Sequence, residues 1–311
     1  MLNRQAAFIN PGKMLKGALH CHTTRSDGAG TPEEVIRKHY DNGYDFMALT
    51  DHRRYNYQNF ADVPMTIIPG MEMDSSFDDS RAGMVHCHHI VSLGHTQENG
   101  NGFEQDQRFE PYHIHNPIET QPMIDMLHAN GNMTIYCHPE WSGTPKHEFD
   151  MLYGNFAMEI WNSGCAVENS LDTNAAYWDE MLFDGHKIFG VATDDGHAMY
   201  QHCLGWVRVN AVNDVESIPE ALRTGAFYSS CGPEIYDFYV EDGVAHIECS
   251  PAARITFRHL RTPYRDVEPQ GTATTVTSGD CKVSAGSRYI RAVVIDAQGR
   301  RAWTNPIFLG E

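Results

Sequence analysis

Seven short apolar runs in the first 200 residues each end in or beside a residue with a metal-binding side chain, and a polar loop or a helical pattern follows. Runs of this length, bounded by Gly, Pro or polar residues, are typical of buried strands. Chance scatter does not easily place His or an acid at the end of so many consecutive strands. The runs are "KGALHCH" (16–22), "YDFMALTDH" (44–52), "TIIPGME" (66–72), "HHIVSLG" (88–94), "MTIYCHP" (133–139), "FAMEIWN" (156–162) and "IFGVATDDGH" (188–197).

Helical patterns lie between several of these strands. The clearest, "TPEEVIRKHYDNG", has Thr31 as N-cap, Pro32 in the first helical position, Glu34 three residues after the cap and Gly43 as the stop. Strands that alternate with helices indicate parallel βα units, and seven such units exceed what most open sheets need. The pattern therefore predicts an α/β fold with a closed or nearly closed barrel, whose site lies at the carboxyl ends of the strands.

The pattern changes after about residue 225. The stretch "GAFYSSCGPEI" is rich in Gly, Ser and Pro, and the later runs alternate apolar and polar residues with few helix signals. Two runs meet at Asp242-Gly243, a pair typical of a β-hairpin turn. We expect residues 1–228 to form the barrel domain and residues 229–311 a small antiparallel, β-sandwich-like domain. The second domain has no clustered candidate ligands, so a packing or oligomerisation role is favoured over substrate binding.

The net charge limits the partners of the chain. The 311 residues carry a formal charge of −18, from 41 acidic and 23 basic residues. An acidic surface repels phosphate polymers and anionic lipids, so neither nucleic acid nor a membrane is an expected partner. Because the chain begins without a signal-like apolar segment and has no apolar run of about 18 residues, a cytoplasmic location is expected. The eight cysteines are scattered without a Cys-x-x-Cys pair and are interpreted as buried thiols.

The residues at the strand ends form a set of imidazoles and carboxylates. In a strand, an alternating His-x-His pair points both rings to one side, which alone is a weak signal. Mixed imidazole and carboxylate ligands without thiolate suit Zn, Mn or Fe. The set is too large for one four-coordinate ion and indicates two or three divalent ions that share carboxylates. Its members are His20, His22, Asp27, Asp51, His52, Glu72, His89, His138, Glu159, Asp195 and His197.

The motifs "HCHTTRSDG", "LTDH", "PGME", "HHIVSLG", "CHP" and "DDGH" occur in the order and register of the PHP (polymerase and histidinol phosphatase) domain, which roughly residues 15–230 resemble. The resemblance implies a distorted (βα)7 TIM-like barrel with up to three metal ions. The "GPEI" junction and the terminal "AWTNPIFL" are similar to those of two-domain PHP proteins with a β-sandwich tail. The ligand sets that the resemblance implies are His20, His22, Glu72 and Asp195 for one ion, Glu72, His89 and His138 for a second, and Asp27, His52 and His197 for a third.

Two of these ligand positions leave alternatives. Residues 86, 88 and 89 are all histidines, and residues 86 and 88 share one face of an ideal strand while residue 89 takes the other. His89 is preferred over His88 because it has the family spacing to the Leu-Gly pair that ends this strand. Asp195 is preferred over Asp194 because an Asp-x-His pattern places both side chains together. Many PHP relatives have His where this chain has Asp27, and this difference can alter metal preference.

Three polar residues near the predicted ligands have a less direct role. Asp51 precedes His52 and should point away from it, so support of a ligand or a helix cap is expected rather than ligation. Glu159 and Asn162 end a strand for which the resemblance offers no ligand. They are interpreted as supporting or structural residues.

Substrate contacts are less sharply indicated. Arg25 and Arg53 each follow a predicted ligand strand and are placed to hold a phosphate oxygen, with exposed loop arginines as the alternative. His202 follows the last predicted metal strand and is a candidate for substrate contact. A long polar insert, residues 96–116, interrupts the strand rhythm and is interpreted as a lid or binding loop. Its two histidines, His113 and His115, are weaker candidates for contact.

These features together predict a metal-dependent phosphoesterase that acts on a small-molecule substrate. The resemblance implies hydrolysis of phosphate esters by a metal-activated hydroxide, with Glu72 and Asp195 as the carboxylates that bridge metals or orient the hydroxide. One alternative is a metal-dependent carboxyl ester, amide or carbamate hydrolase that uses the same site. The other is a non-catalytic PHP-type structural module, against which the filled ligand positions argue.

Overall fold

The computed structural model describes residues 5–7, 14–78, 85–96, 102–260 and 265–310. Within these ranges short 3-10 helices lie at Pro117–Thr120 and Met199–Gln201. No helix of the described residues is long and apolar enough to span a bilayer. The α-helices of these ranges are α1 (Pro32–Asp41), α2 (Gln121–Ala129), α3 (Lys146–Phe149), α4 (Ser163–Asn169), α5 (Asn174–Asp184) and α6 (Ser217–Arg223).

Helices are interspersed among the strands up to α6, and after α6 the strands follow one another directly. The first eleven are β1 (Gln5–Ala6), β2 (Leu15–Ala18), β3 (Phe46–Met47), β4 (Thr66–Ile67), β5 (Gly70–Phe77), β6 (Cys87–Leu93), β7 (Tyr112–Ile114), β8 (Met133–Tyr136), β9 (Ala157–Asn162), β10 (Phe189–Thr193) and β11 (Trp206–Val209). The remainder are β12 (Phe227–Ser230), β13 (Ile235–Glu241), β14 (Val244–Ala252), β15 (Arg254–Arg258), β16 (Arg265–Val267), β17 (Val276–Lys282), β18 (Tyr289–Ile295), β19 (Arg301–Thr304) and β20 (Ile307–Phe308).

Helix α1 forms as its sequence predicts. The hydroxyl of Thr31 accepts a hydrogen bond from the Glu34 backbone N–H at 3.3 Å, and the Glu34 carboxylate accepts one from the Thr31 N–H at 2.8 Å. This is a capping box, and Pro32 occupies the first turn. Gly43, just after the helix, has a φ of 76°, which a residue without Cβ adopts at no steric cost. The predicted start and stop of this helix are confirmed.

Two sheets surround the main core, and a third belongs to the C-terminal part. A six-stranded sheet has the order β10-β9-β8-β6-β5-β7. A ten-stranded sheet has the order β16-β15-β18-β19-β12-β11-β2-β3-β4, with β20 paired to β18. The third sheet has the order β1-β13-β14-β17. The chain is therefore a mixed α/β fold with a β-rich C-terminal part, as predicted.

The strand directions depart from seven parallel units at β6. Strands β2, β3 and β4 are mutually parallel, and so are β8, β9 and β10. Strand β6, however, is antiparallel to both of its neighbours, β5 and β8. Only residues 78–86 join β5 to β6, and a parallel crossover needs about a dozen residues or more. The expectation of uniformly parallel strands is therefore wrong at this position.

One apolar cluster draws fully buried residues from both large sheets. Leu19 follows β2 and Val207 lies in β11 of the ten-stranded sheet, while Val91, Ile135 and Val191 lie in β6, β8 and β10 of the six-stranded sheet. The two sheets therefore pack against each other around a shared core. Burial of such side chains stabilises the fold by about 1.5–3 kcal/mol each.

The two sheets also meet through their backbones at one end. The His22 N–H donates to the Gly196 carbonyl at 3.1 Å, and the Asp195 N–H donates to the His20 carbonyl at 3.0 Å. A second parallel bridge joins His52 to Glu72. These contacts connect the chain after β2 with the chain after β10, and the chain after β3 with β5. The carboxyl ends of strands from both sheets are consequently brought together.

The C-terminal part is built from hairpins. Strands β13 and β14 are joined at Asp242 and Gly243, whose φ values of 49° and 76° are those that a type I′ turn requires. This confirms the predicted turn. Strand β12 pairs with β11 on one side and with β19 on the other. One sheet therefore continues across residue 228, the predicted end of the first domain.

Candidate metal centre

The predicted ligands converge where the two sheets meet. His20 and His22 follow β2, His52 follows β3, Glu72 lies in β5 and His89 lies in β6. His138 follows β8, and Asp195 and His197 follow β10. Each of these buried strands therefore contributes an imidazole or a carboxylate to the place where the two sheets meet. A cavity of about 260 Å³ opens over them.

Glu72 lies at the middle of this group. The side chain is fully buried, and its two oxygens approach a nitrogen of each surrounding imidazole. The distances are 3.3 Å to His20, 3.2 Å to His22, 3.0 Å to His52, 2.9 Å to His89 and 3.4 Å to His138. A carboxylate in this position can serve more than one cation.

Asp195 completes a first possible ligand set with His20, His22 and Glu72. Its Oδ1 lies 2.9 Å from His22 Nε2 and 3.2 Å from His20 Nε2. Donor atoms of the four residues all lie within 4.8 Å of one another. The sequence resemblance implies the same four residues for its first ion.

A second, more open set surrounds Asp27. Its Oδ2 lies 3.5 Å from His52 Nε2 and 3.5 Å from His197 Nε2, and its Oδ1 lies 3.5 Å from His22 Nδ1. The Asp27 side chain is 54% exposed, so this set lies at the mouth of the cavity. The structure brings together the three residues that the resemblance implies for the third ion.

The remaining set, implied for the second ion, also shares Glu72. His89 Nδ1 and His138 Nε2 both face Glu72 Oε1. Cys137 lies near enough to join Glu72 and His138 as a ligand. However, complete burial raises the pKa of this thiol well above its ordinary value, which disfavours the thiolate that a metal binds. Its interpretation as a packing residue is therefore retained.

Three buried atoms in the cluster have no hydrogen-bond partner of proper geometry among the described residues: Glu72 Oε2, Asp195 Oδ1 and His52 Nδ1. Unsatisfied buried polar atoms are costly, on the order of 1–3 kcal/mol each or more for a charged group. Divalent cations would satisfy all three, because each atom is a donor that such ions bind. The residues present therefore fit the metal ions that the sequence predicts.

The electrostatics of the cluster favour positive charge. Burial disfavours the charged form of His22, yet the adjacent Asp195 and Glu72 carboxylates raise its pKa to about 9. Burial alone would raise the pKa of Glu72, but the surrounding imidazoles hold it well below its ordinary value. His52 differs, because burial outweighs the carboxylates and lowers its pKa to about 4. Carboxylates that remain ionised, and that raise the pKa of a buried imidazole, form a site that attracts positive charge.

Glu159 supports the cluster from behind, which is one of the two roles that the sequence analysis left open for it. Its carboxylate accepts a hydrogen bond from His20 Nδ1 at 2.7 Å and from the His138 backbone N–H at 3.0 Å. Thr193 and Asn162 donate to the same carboxylate at 2.6 Å and 2.9 Å. An acid on one ring nitrogen fixes the tautomer that presents the other nitrogen to a metal.

Two aspartates that directly precede predicted ligands, Asp194 and Asp51, use their carboxylates for hydrogen bonds to backbone and hydroxyl groups. Asp194 faces away from the cluster and accepts three backbone N–H bonds from residues 203–205, at 2.6–3.0 Å. Asp51 accepts bonds from the Thr23 N–H at 2.7 Å and from the Ser26 hydroxyl at 2.9 Å. Asp51 therefore shapes the loop between His22 and Asp27.

His88 and His89 lie on opposite faces of β6. His89 Nδ1 is 2.9 Å from Glu72, whereas His88 Nδ1 is 2.7 Å from the Tyr136 hydroxyl. Burial and the neighbouring imidazoles lower the pKa of His88 to about 3, so its ring is a neutral core group. The structure places His89, and not His88, in the cluster.

Three predicted site residues have left-handed backbone conformations: φ is 52° at Arg53, 23° at His138 and 48° at Asp195. Such conformations cost about 1–3 kcal/mol each in residues other than glycine and persist where the surrounding contacts impose them. Their concentration at the ends of three strands marks this region as one shaped for function.

The three predicted substrate residues differ in their placement. Arg25 and Arg53 line a second cavity of about 330 Å³ beside Asp27 and His52. His202 is buried behind Gly196, with both ring nitrogens unpartnered among the described residues, and it lines neither cavity. Because the ring lines neither cavity, its contact with substrate stays a prediction.

The long polar insert is described in part, since residues 97–101 lie outside the described ranges. Its histidines, His113 and His115, are exposed and lie near Asp78, away from the cluster. Trp141 lines the first cavity and was not among the residues predicted from sequence. Its ring centroid lies 5.1 Å from that of His138 and 5.7 Å from that of His89. Its position two residues after the "CHP" motif could have indicated that it lies near the metal centre.

No family model and no curated protein matches the sequence. The fold is similar to a crystal structure from Bacteroides vulgatus, described as a two-domain protein containing a predicted PHP-like metal-dependent phosphoesterase. The identity is 15%, the alignment covers 98% of each chain and the TM-score is 0.50.

Two further structures match with lower scores. An amidohydrolase from Chromobacterium violaceum shares 15% identity over 59% of this chain and 88% of its own, with a TM-score of 0.42. A protein from Bifidobacterium adolescentis, described as a metal-dependent phosphoesterase, shares 12% identity over 58% of this chain and 87% of its own, with a TM-score of 0.40.

The similarity to the Bacteroides structure extends over both parts of the chain and concerns the fold. It agrees with the motif order, with the convergence of the strand ends and with the β-rich C-terminal part. The chain therefore has the two-domain PHP-like fold that its motifs predicted.

Proposed function

We propose that this chain is a metal-dependent phosphoesterase that hydrolyses small phosphate esters. The observation that carries the proposal is the buried group of imidazoles around Glu72, with one oxygen each of Glu72 and Asp195 that no hydrogen bond from the described residues satisfies. Such a group is expensive to build and has little use in a purely structural module. This group supports metal binding, and the resemblance of the motifs to the PHP domain adds hydrolysis as the chemistry.

Two or three divalent ions, of Zn, Mn or Fe, would be held by three sets of residues. Ions bound there would lower the pKa of water toward neutrality and offset negative charge on phosphoryl oxygens. Glu72 belongs to two of the three sets of residues and would hold these two sets next to each other. The sets are His20, His22, Glu72 and Asp195; Glu72, His89 and His138; and Asp27, His52 and His197.

Other residues of the chain would bind and orient the substrate. Arg25 and Arg53 lie beside the open set at Asp27, where a guanidinium can hold a phosphoryl oxygen. Trp141 forms an apolar part of the wall of the first cavity and would contact the substrate there. A cavity of about 260 Å³ has room for a small ester, which supports a small-molecule substrate.

The division of the chain follows the same proposal. Residues 1–228 would form the catalytic unit, with the two large sheets arranged as a distorted (βα)7 barrel. Residues 229–311 would form a β-sandwich-like unit that packs against it. Strand β12 and its two neighbours support a firm connection between the two units.

The test is hydrolysis of a substrate panel by protein loaded with Zn, Mn or Fe. Release of inorganic phosphate from small phosphomonoesters and nucleotides is measured beside hydrolysis of carboxyl esters, amides and carbamates. Elemental analysis of protein purified without chelator should give two or three metal ions per chain. Turnover of the carbon esters without phosphate release would assign the site to the other class of hydrolase, and one ion or fewer would overturn the multinuclear site.

A further inference from the structure

A second cavity, of about 330 Å³, adjoins the metal centre and is lined mainly by arginine. It shares Asp27 and His52 with the first cavity, so the two meet at the open ligand set. A concentration of cationic side chains is unusual in a chain with a net charge of −18. The four arginines that line this arginine cavity are Arg25, Arg53, Arg54 and Arg108.

Two segments distant in sequence build the arginine cavity. Arg54 and Arg108 form an antiparallel backbone bridge, and the flanking backbone bonds are Tyr55 N–H to the Gln107 carbonyl and Phe109 N–H to the Arg53 carbonyl, both at 3.0 Å. The first segment directly follows the predicted ligand His52. The second segment lies in the described part of the long polar insert. The insert therefore places the positively charged side chain of Arg108 beside the metal centre.

Arg25 is held in the wall of this cavity rather than left in solvent. Its guanidinium donates to Asn56 Oδ1 at 3.2 Å and lies 4.8 Å from the centre of the Phe60 ring. The side chain is 8% exposed, and Nε has no hydrogen-bond partner among the described residues. A buried guanidinium with an unsatisfied donor is a costly arrangement that an anion in the cavity would relieve.

The carboxylates near the cavity do not balance its positive charge. Arg53 is paired with Asp74, and Arg25 and Arg54 share one carboxylate, Asp106. Arg108 has no carboxylate partner among the described residues. Asp27 also lines the cavity, but it belongs to the open ligand set, where it would hold a cation. The cavity therefore retains an excess of positive charge.

We propose that the arginine cavity binds a second anionic group of the substrate, a carboxylate or a phosphate carried by the leaving group. This inference rests on the proposed phosphoesterase function and narrows its substrate class to small phosphate esters with two anionic ends. Arg54 and Arg108 hold the second group by charge-assisted hydrogen bonds, while the reacting phosphate lies at the metal centre. The insert thus determines specificity by contributing Arg108.

The test compares matched substrates: phenyl phosphate, carboxyphenyl phosphate and phenylene bisphosphate. For the wild type we expect kcat/KM to be about tenfold or more higher for the two doubly anionic compounds, mainly through KM. In Arg54→Gln and Arg108→Gln this preference, taken relative to phenyl phosphate in the same variant, falls toward one. Arg223→Gln, which removes an exposed charge on α6, should keep the full preference.

Binding of non-hydrolysable phosphonates keeps this inference separable from the proposed function. Calorimetry on the metal-loaded protein compares phenylphosphonate with carboxyphenylphosphonate, whether or not any phosphate ester is hydrolysed. Tighter binding of the doubly anionic phosphonate, lost in Arg108→Gln, supports the cavity as an anion site. Equal affinity for the two phosphonates, or a preference that survives both arginine substitutions, overturns it. Absence of phosphate release from all three esters counts against the phosphoesterase function instead.

Discussion

Glu72 connects more of the candidate centre than any other single side chain described here. Its two oxygens face five imidazoles contributed by four strands, and it has no solvent exposure. Removal of its charge would leave the surrounding imidazoles without the carboxylate that draws a cation among them. The consequences should therefore exceed the loss of one ligand.

We expect Glu72→Gln to remove at least one metal ion per chain and to lower kcat more than about 100-fold, beyond the range usual for groups that only support a ligand. The amide keeps the size of the side chain, so circular dichroism should show an intact fold. Metal content and phosphate release are the measurements. Glu220→Gln, on the surface of α6, is the matched control. A decrease of only a few-fold would mean that Glu72 is not a ligand.

Substitution at β6 separates two adjacent histidines. His89→Gln should lower metal content and activity, because its ring faces Glu72. His88→Gln should keep both and lower the free energy of unfolding by about 1 kcal/mol, through loss of the bond to Tyr136. Elemental analysis and denaturant unfolding distinguish the two variants. The reverse result would show that the other face of β6 binds metal.

Some of these roles could be predicted from sequence and others could not. His20 and His22 could be predicted because an alternating pair points both rings to one side of a strand and the other strand ends add further ligand types. Glu159 ends a strand in the same way, yet it binds His20 rather than facing the cavity, and only the distance between the two side chains decides this. Arg108 lies in an insert without periodicity, so its approach to Arg54 has no local signal.

At the scale of elements, local chemistry predicted helices and turns more reliably than strand direction. Helix α1 and the Asp242-Gly243 turn depend on hydrogen bonds and φ values within a few residues. The reversed direction of β6 depends on the short connection from β5, and the same apolar run would suit either direction. The pairing of β1 with β13 joins segments more than 200 residues apart, and the local sequence of neither segment predicts it.

Helix α1 carries a buried histidine that should make stability depend on pH. His39 Nδ1 bonds to the Val35 carbonyl at 2.8 Å, its Nε2 lies 3.9 Å from Asp194, and the Tyr44 and His202 rings pack against it. Burial lowers the pKa of His39 to about 4. In the unfolded chain its pKa is about 6.5. Between these values the unfolded state binds the additional proton.

Because the unfolded state binds more protons in this window, the free energy of unfolding should fall as pH drops from about 6.5 to about 4. The contribution of His39 is on the order of 3 kcal/mol across the window. His39→Gln, neutral throughout, should therefore show a shallower decline than the wild type in denaturant titrations. Asp194, whose pKa burial raises to about 6, is present in both proteins and largely cancels in the comparison. Parallel curves for the two proteins would contradict the prediction.

At the scale of the whole molecule, the predicted boundary at residue 228 does not coincide with a break in the structure. Strand β12 carries the ten-stranded sheet from β11 to β19. Across the same junction, Asp179 of α5 accepts hydrogen bonds from Arg258 of β15 at 2.6 Å and from Arg291 Nε of β18 at 3.0 Å. The C-terminal strands are thus joined to the metal-binding part by both backbone and charge.

Because of these contacts across the junction, we expect the C-terminal strands and the metal-binding part to unfold together. The Arg291 side chain is 1% exposed and lies 4.4 Å from the Trp178 ring, so loss of its carboxylate leaves a buried charge without compensation. Asp179→Asn should lower the free energy of unfolding by about 3 kcal/mol, in one cooperative transition. Asp172→Asn, which removes a half-exposed partner of Arg301 at 3.6 Å, should cost less than about 1 kcal/mol.

Fluorescence and circular dichroism in denaturant measure both variants. Two separate transitions in the wild type would show that the C-terminal part folds independently, and equal effects of the two substitutions would show that the buried pair does not join the parts.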